Sequence, residues 1–178
     1  MRPTRPPRGL TLVELLATLV IVGMLGALAL PAFGGLVERY RARRAIEDLG
    51  ATLYLARSEA IRRGGRVVLR KQVVPGCVAS EPKDWSCGWV LFVDTDNDGV
   101  ADEGEVTISL SPPTPGVLTT ANLPNPPTRI KFNQWGRFNE SIGAYSFRAA
   151  PVGGDESNGR TLCIFGTQLR FLPGSGRC

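Results

Sequence analysis

Histidine is absent from the 178-residue chain, and its absence removes Ser-His-Asp and Cys-His catalysis, histidine metal ligation and histidine pH switching together. No glycine-rich phosphate loop and no nucleophile motif stand in their place, so the chain is not expected to be an enzyme. Aromatic residues are sparse at 7%, and neither an internal repeat nor a low-complexity tract is present. No two cysteines form Cys-x-x-Cys, which with no histidine leaves little for a zinc site. Against these absences stand 43% hydrophobic residues, too many for a disordered chain. The length suits one compact domain with room for an extra element and is short for two full domains.

The net charge of +5 invites a nucleic-acid reading until it is located. Residues 1–9 carry Arg2, Arg5 and Arg8, for +3, and residues 10–37 carry only Glu14. Residues 38–71 come to +6, residues 72–128 to −7 and residues 129–178 to +4. The chain is polarised along its length, and no single basic domain exists.

From Leu15 to Val37 run 23 residues without a charge. As a helix rising 1.5 Å per residue, such a run spans about 35 Å, enough to cross a hydrocarbon core of about 30 Å. Arginines precede it, and Arg39, Arg41, Arg43 and Arg44 follow it, so the positive-inside count gives no orientation. A cleaved secretory signal would have a shorter apolar run and a small-residue A-x-A site, which Ala29-Leu30-Pro31-Ala32 matches poorly. Glu14 is the anomaly: a carboxylate in an apolar stretch costs about 2–3 kcal/mol on insertion scales and asks for a partner. Pro31 and Gly34-Gly35 interrupt the run, where either a kink or local melting of a turn is expected.

Gly9-Leu10-Thr11-Leu12-Val13-Glu14, behind a basic leader and ahead of the uncharged run, resembles the type III signal of type IV pilins and type II secretion pseudopilins. The resemblance implies that a prepilin peptidase cuts between Gly9 and Leu10 and methylates the new N-terminus. Glu14 is then the fifth residue of the mature chain. Leu10 departs from the phenylalanine that the family usually has there. After the cut the Leu10 amine is a positive charge beside Glu14. In a filament, Glu14 of one subunit can neutralise the amine of its neighbour and remove two costly charges together.

Ile46, Leu49, Leu53, Ala56 and Ala60 recur at helical spacing, which predicts an amphipathic helix over 36–63 ended by Gly64-Gly65. Its basic residues read as a solvated face beside anionic lipid. Beyond Gly65 the pattern turns to strands, expected over 66–71, 88–93, 106–110, 130–132, 145–148, 161–164 and 168–171. Proline loops occupy 111–116 and 122–127. The result is an α+β chain: a long N-terminal helix, transmembrane and then amphipathic, packed on a mostly antiparallel head of about six or seven strands.

Three strings narrow the resemblance: Ala56-Arg57-Ser58-Glu59-Ala60-Ile61-Arg62-Arg63-Gly64, Gly88-Trp89-x-x-Phe92-x-Asp94 and Phe132-x-x-x-Gly136-Arg137. They resemble H-type minor pseudopilins of type II secretion and FimT-like minor pilins, which implies a pilin-like fold. The expected organisation is a cleaved leader over 1–9, a transmembrane and assembly helix over 10–37, an amphipathic spine helix over 38–65 and a β-rich periplasmic head over 66–178.

In a head exported across a membrane, the four cysteines favour disulfides. Three connectivities are open, and local pairing, Cys77 with Cys87 and Cys163 with Cys178, is the expected one. A bridge closing about 15 residues contributes roughly 3 kcal/mol.

Residues 94–105 fit the calcium-loop pattern D-x-[DN]-x-[DN]-G-x5-E at every specified position. Asp94, Asp96, Asp98, the Val100 carbonyl, Asp102 through water and Glu105 would supply the oxygens, and Gly99 the sharp turn. Strands flank this loop where that motif has helices, so a solvated hairpin turn is the alternative. No cofactor other than calcium is expected.

The resemblance implies a structural subunit, a minor pseudopilin of a type II secretion pseudopilus, polymerised with other pilins or pseudopilins through its N-terminal helix. Before assembly it would sit in the inner membrane with a single pass and its head in the periplasm; afterwards it would lie in the pilus or pseudopilus, in reach of secreted substrate. The alternative is a FimT-like minor pilin that binds DNA for uptake, with Arg160, Arg170 and Arg177 as candidate contacts. The chain ends Gly176-Arg177-Cys178 and lacks the final arginine of the Gly-Arg-x-Arg tail seen in that group.

Overall fold

A computed structural model of the chain describes residues 11–77, 79, 81–123, 128–138 and 145–178, apart from the side chains of 27–32. The Gly9–Leu10 processing site lies outside these residues, as does most of the second proline loop. Two compact units make up the chain, Met1–Leu36 and Val37–Cys178.

Helix α1, Leu12–Arg63, carries 52 residues. Its backbone stays helical through Pro31, Gly34 and Gly35, so the melted turn is not found. Proline removes one donor from the ladder, and the neighbouring bonds hold. Leu12, Val13, Leu15, Leu16, Leu19, Val20, Ile21, Val22, Met24 and Leu25 are each more than half exposed, so this stretch has no buried face. Among the described residues no helix is long and apolar enough to cross a membrane. The uncharged run 15–37 includes the six residues whose side chains are not described.

In the second unit α1 has a clear inner stripe. Ala42, Ala45, Ile46, Leu49, Leu53, Ala56 and Ala60 are all at most 2% exposed, spaced three and four apart. On the outer side Arg43 pairs with Glu47 at 2.6 Å, and Arg62 and Arg63 both reach Glu59. Such surface pairs contribute little, because solvent screens them. The Gly65 N–H donates to the Ala60 carbonyl at 2.7 Å, closing the helix with a left-handed residue.

Eight strands follow: β1 (Val67–Lys71), β2 (Trp89–Val93), β3 (Thr107–Ser111), β4 (Val117–Asn122), β5 (Arg129–Phe132), β6 (Tyr145–Pro151), β7 (Arg160–Phe165) and β8 (Gln168–Pro173). They form two four-stranded sheets, ordered β3-β2-β1-β5 and β4-β6-β7-β8, with every neighbour antiparallel. β6 shows the pattern most cleanly, with Tyr145, Phe147, Ala149 and Pro151 buried and the residues between them half-buried. Val67, Leu69, Leu91, Ile130 and Phe132 of one sheet and Phe147, Leu162 and Ile164 of the other meet the helix stripe in one core. Trp85, fully buried, stands edge-on to Phe147 with ring centroids 5.1 Å apart.

β4 is the element beyond the six or seven strands expected from the sequence. It lies between the two proline loops, places Thr119 inward and leaves Leu118 exposed, which blurs the hydrophobic alternation. Its partner β6 and the Trp85 N–H, which donates to the Thr119 carbonyl at 2.8 Å, hold it in place.

Candidate functional site

The acidic loop leaves β2 at Val93 and returns at β3. The Asp94 N–H donates to the Arg66 carbonyl at 2.8 Å, which pulls Asp94 inside until it is 1% exposed. Carboxylate oxygens of Asp94, Asp96 and Asp98 converge within 4.8 Å of one another. The Asp98 N–H donates to Asp96 Oδ1 at 3.2 Å and the Val100 N–H to Asp98 Oδ1 at 2.6 Å, turns that short acidic side chains make readily. Glu105 has a different task from Asp94, Asp96 and Asp98. Its Oε1 accepts from the Thr95 N–H at 2.6 Å and from Thr95 Oγ1 at 3.0 Å, and its Oε2 accepts from the Asp102 N–H at 3.3 Å. It staples the loop ends together. Asp102 stays at the rim, where lost solvation and the carboxylates of Asp98, Asp96 and Glu105 raise its pKa above the ordinary value.

Three basic residues that the sequence pattern did not single out clasp this loop. Arg70 Nη1 donates to the Gly99 carbonyl at 2.7 Å, and Arg129 Nη1 to the Asp98 carbonyl at 2.8 Å. Lys131 Nζ donates to the Asn97 carbonyl at 2.7 Å and pairs with Asp94 Oδ2 at 3.2 Å. Arg70 faces Arg129 directly across β1 and β5, and Lys131 sits opposite Val68. Like charges facing each other across a sheet are unfavourable; the acidic loop over them supplies the compensation. Two arginines at one register position were the signal in the sequence, readable only once β1 and β5 are known to pair.

A second cluster is basic. Lys83, Asn122, Ser146, Arg148, Thr161 and Arg177 line an open cleft of about 480 Å³ on the second sheet. Arg148 is partly neutralised by Glu156 at 2.8 Å. Of the three arginines expected to contact DNA, the cleft gathers only Arg177. Arg160 shares the register face of Leu162 and Ile164, and exposed Arg170 lies opposite Cys163 outside the cleft lining.

At the other end of the chain, Thr11 Oγ1 accepts from the Glu14 N–H at 3.3 Å while Glu14 Oε2 accepts from the Thr11 N–H at 2.9 Å. This is a capping box, and it folds the Glu14 carboxylate back over the first residues of the helix. Disulfides join Cys77 to Cys87 and Cys163 to Cys178.

A model of the family described as type II transport protein GspH matches residues 45–176, and a model of the prokaryotic N-terminal methylation motif matches residues 5–30. Two crystal forms of the Pseudomonas aeruginosa (strain PAO1) type IV minor pilin FimU are similar in fold, with TM-scores of 0.55 and 0.53 at 20% identity. They cover 79% and 75% of this chain and 95% and 94% of their own. No curated protein matches the chain.

Proposed function

We propose that this chain, which belongs to the GspH family of type II transport proteins, is a minor subunit of a type II secretion pseudopilus, cut after Gly9, methylated at Leu10 and polymerised through its N-terminal helix. The family is one of structural pilin subunits and not of enzymes, and membership implies assembly with other pilins or pseudopilins. The observation that carries the reading is the methylation motif set on the start of a helix whose apolar side chains from Leu12 to Leu25 are exposed. A helix apolar on all sides calls for lipid or other helices around it. The run 15–37 would cross the inner membrane before assembly, leaving the head in the periplasm, where disulfides persist.

The capping box supports a role for Glu14 in register. It holds the carboxylate at the helix N-terminus, where pairing with an incoming subunit's amine would remove two charges from the apolar layer together. Replacing Glu14 with alanine should leave cleavage intact, read as the mass of the mature chain, and abolish recovery of the subunit in sheared filaments. Normal recovery would refute the pairing.

A second reading, a minor pilin that binds DNA for uptake, is favoured by the cleft that Lys83, Arg148 and Arg177 share. Binding through these cations would weaken steeply with salt. A gel shift with the detergent-solubilised chain at low salt tests it: no shift leaves the assembly role alone.

A further inference from the structure

The loop between β2 and β3 carries a feature that its hairpin role does not explain. Asp94 is 1% exposed, yet neither of its carboxylate oxygens accepts a hydrogen bond, and its ion pair, with Lys131, runs through Oδ2. A carboxylate withdrawn from water without hydrogen bonds is costly. Its oxygens point toward those of Asp96 and Asp98. Arg70 and Arg129 each place Nη1 on a backbone carbonyl, of Gly99 and of Asp98, and neither forms an ion pair with the three carboxylates. The two arginines therefore fix the loop through its backbone, and Lys131 alone of the three cations pairs with one of the carboxylates. Asp94, Thr95, Asp96 and Asn97 also line an open cleft of about 390 Å³, which gives an ion a way in.

We propose that this loop is a calcium site in which Asp94, Asp96 and Asp98 supply the protein's carboxylate ligands. All four cysteines are in disulfides and histidine is absent, so the available donors are hard oxygens, which suit calcium over zinc or copper. Calcium also tolerates an irregular shell completed by water, whereas magnesium demands near-octahedral geometry. Glu105 is committed to Thr95 and Asp102 as the loop's staple, so the ligand set is smaller than the sequence pattern suggests. The Lys131 ammonium lies against Asp94 and Asn97 and competes for the same oxygens. The affinity should therefore fall in the weak range of extracellular calcium modules, Kd about 10⁻⁴–10⁻³ M.

The test is calorimetric titration of the full chain in detergent with calcium chloride alone, and with magnesium chloride for comparison. One calcium should bind per chain in that range, with magnesium at least about tenfold weaker. The double substitution Asp96→Asn with Asp98→Asn should weaken calcium by about tenfold or more, while Glu103→Gln, outside the cluster, should not. Lys131→Gln, which removes the competing cation, should tighten calcium several-fold; a purely structural Lys131–Asp94 pair would not do this. No calcium heat up to about 10 mM, well above the weakest such sites, overturns the proposal. So does unchanged binding by the double variant with its circular dichroism intact. The wild-type titration decides by itself if that variant fails to fold.

Discussion

Arg57, on the inner flank of α1, donates from Nη2 to the Gly166 carbonyl at 2.7 Å and from Nη1 to the Thr167 carbonyl, so one guanidinium closes the turn between β7 and β8. Residues 109 and 110 positions apart are joined, and the last hairpin is fastened to the helix that precedes all the strands. The guanidinium lies 5.3 Å from the Phe138 ring centroid and is largely buried, which makes a fixed planar fork the suitable group here. Burial lowers its pKa from the ordinary value without making it neutral at physiological pH. Arg57→Met should cost about 2 kcal/mol, since charged hydrogen bonds are lost while the exposed turn carbonyls regain water. Arg57→Lys should recover only part of that. Thermal unfolding of the head, followed by circular dichroism, measures both.

Lys71 plays the matching part for the loop between β1 and β2. It is 8% exposed, and its Nζ donates to the carbonyls of Ala79, Glu81 and Asp84 at 3.2, 2.7 and 3.1 Å. The same loop is closed by Cys77–Cys87, so two independent devices hold one segment. Lys71→Met should cost about 2 kcal/mol in the oxidised chain. With Cys77 and Cys87 replaced by serine the same change should cost roughly 1 kcal/mol more, because groups that order one segment couple. A double-mutant cycle by urea unfolding measures the coupling, and strict additivity would show that the lysine and the bridge act separately.

The C-terminal bridge is argued differently. The Gly174 N–H donates to the Gly159 carbonyl at 2.8 Å and Thr161 Oγ1 to the Gly174 carbonyl at 3.0 Å, so the tail is held as far as residue 174 without the disulfide. Beyond that, Cys163–Cys178 is what returns Arg177 to the basic cleft. Replacing both cysteines with serine should cost about 2–3 kcal/mol. It should also expose the last four residues to carboxypeptidase, while trimming stops near Gly174. Protection of Arg177 in that variant would mean the tail is held by something other than the bridge.

Local pattern and long-range pairing divide what the sequence could disclose. The helix stripe from Ile46 to Ala60 was legible because each residue's inward direction follows from spacing along one element. Seven strands were legible from β-branched runs between glycines and prolines, and β4 was not, because polar Thr119 and small Ala121 share its inward face with Val117 while the larger Leu118 points out. The acidic loop announced its aspartates, but Arg70, Arg129 and Lys131 come from two strands that become neighbours only in the folded sheet. Arg57 stood inside a string that marked the family, yet its hydrogen-bond partners lie more than a hundred residues away. The Thr11–Glu14 cap is local, since Thr-x-x-Glu ahead of an apolar run is a capping box by spacing alone.

Two glycines with similar backbone angles should respond very differently to alanine, and the difference lies in what surrounds them. Gly88 has φ +85°, and a Cβ there would lie 2.1 Å from the Ser111 carbonyl oxygen, a backbone atom held in the β2–β3 ladder. Nothing flexible can give way, so Gly88→Ala should cost at least about 3 kcal/mol and prevent stable folding of the head. Gly99 has φ +78°, and its Cβ would meet the end of the Arg129 side chain at 2.5 Å. That chain can swing aside and give up its bond to the Asp98 carbonyl, so the cost should be the left-handed strain of alanine, about 1–2 kcal/mol. Gly99→Ala should therefore fold with a lowered midpoint in thermal unfolding, whereas Gly88→Ala should show no cooperative transition. Equal losses at the two positions would mean that the Arg129 clasp is as rigid as the ladder.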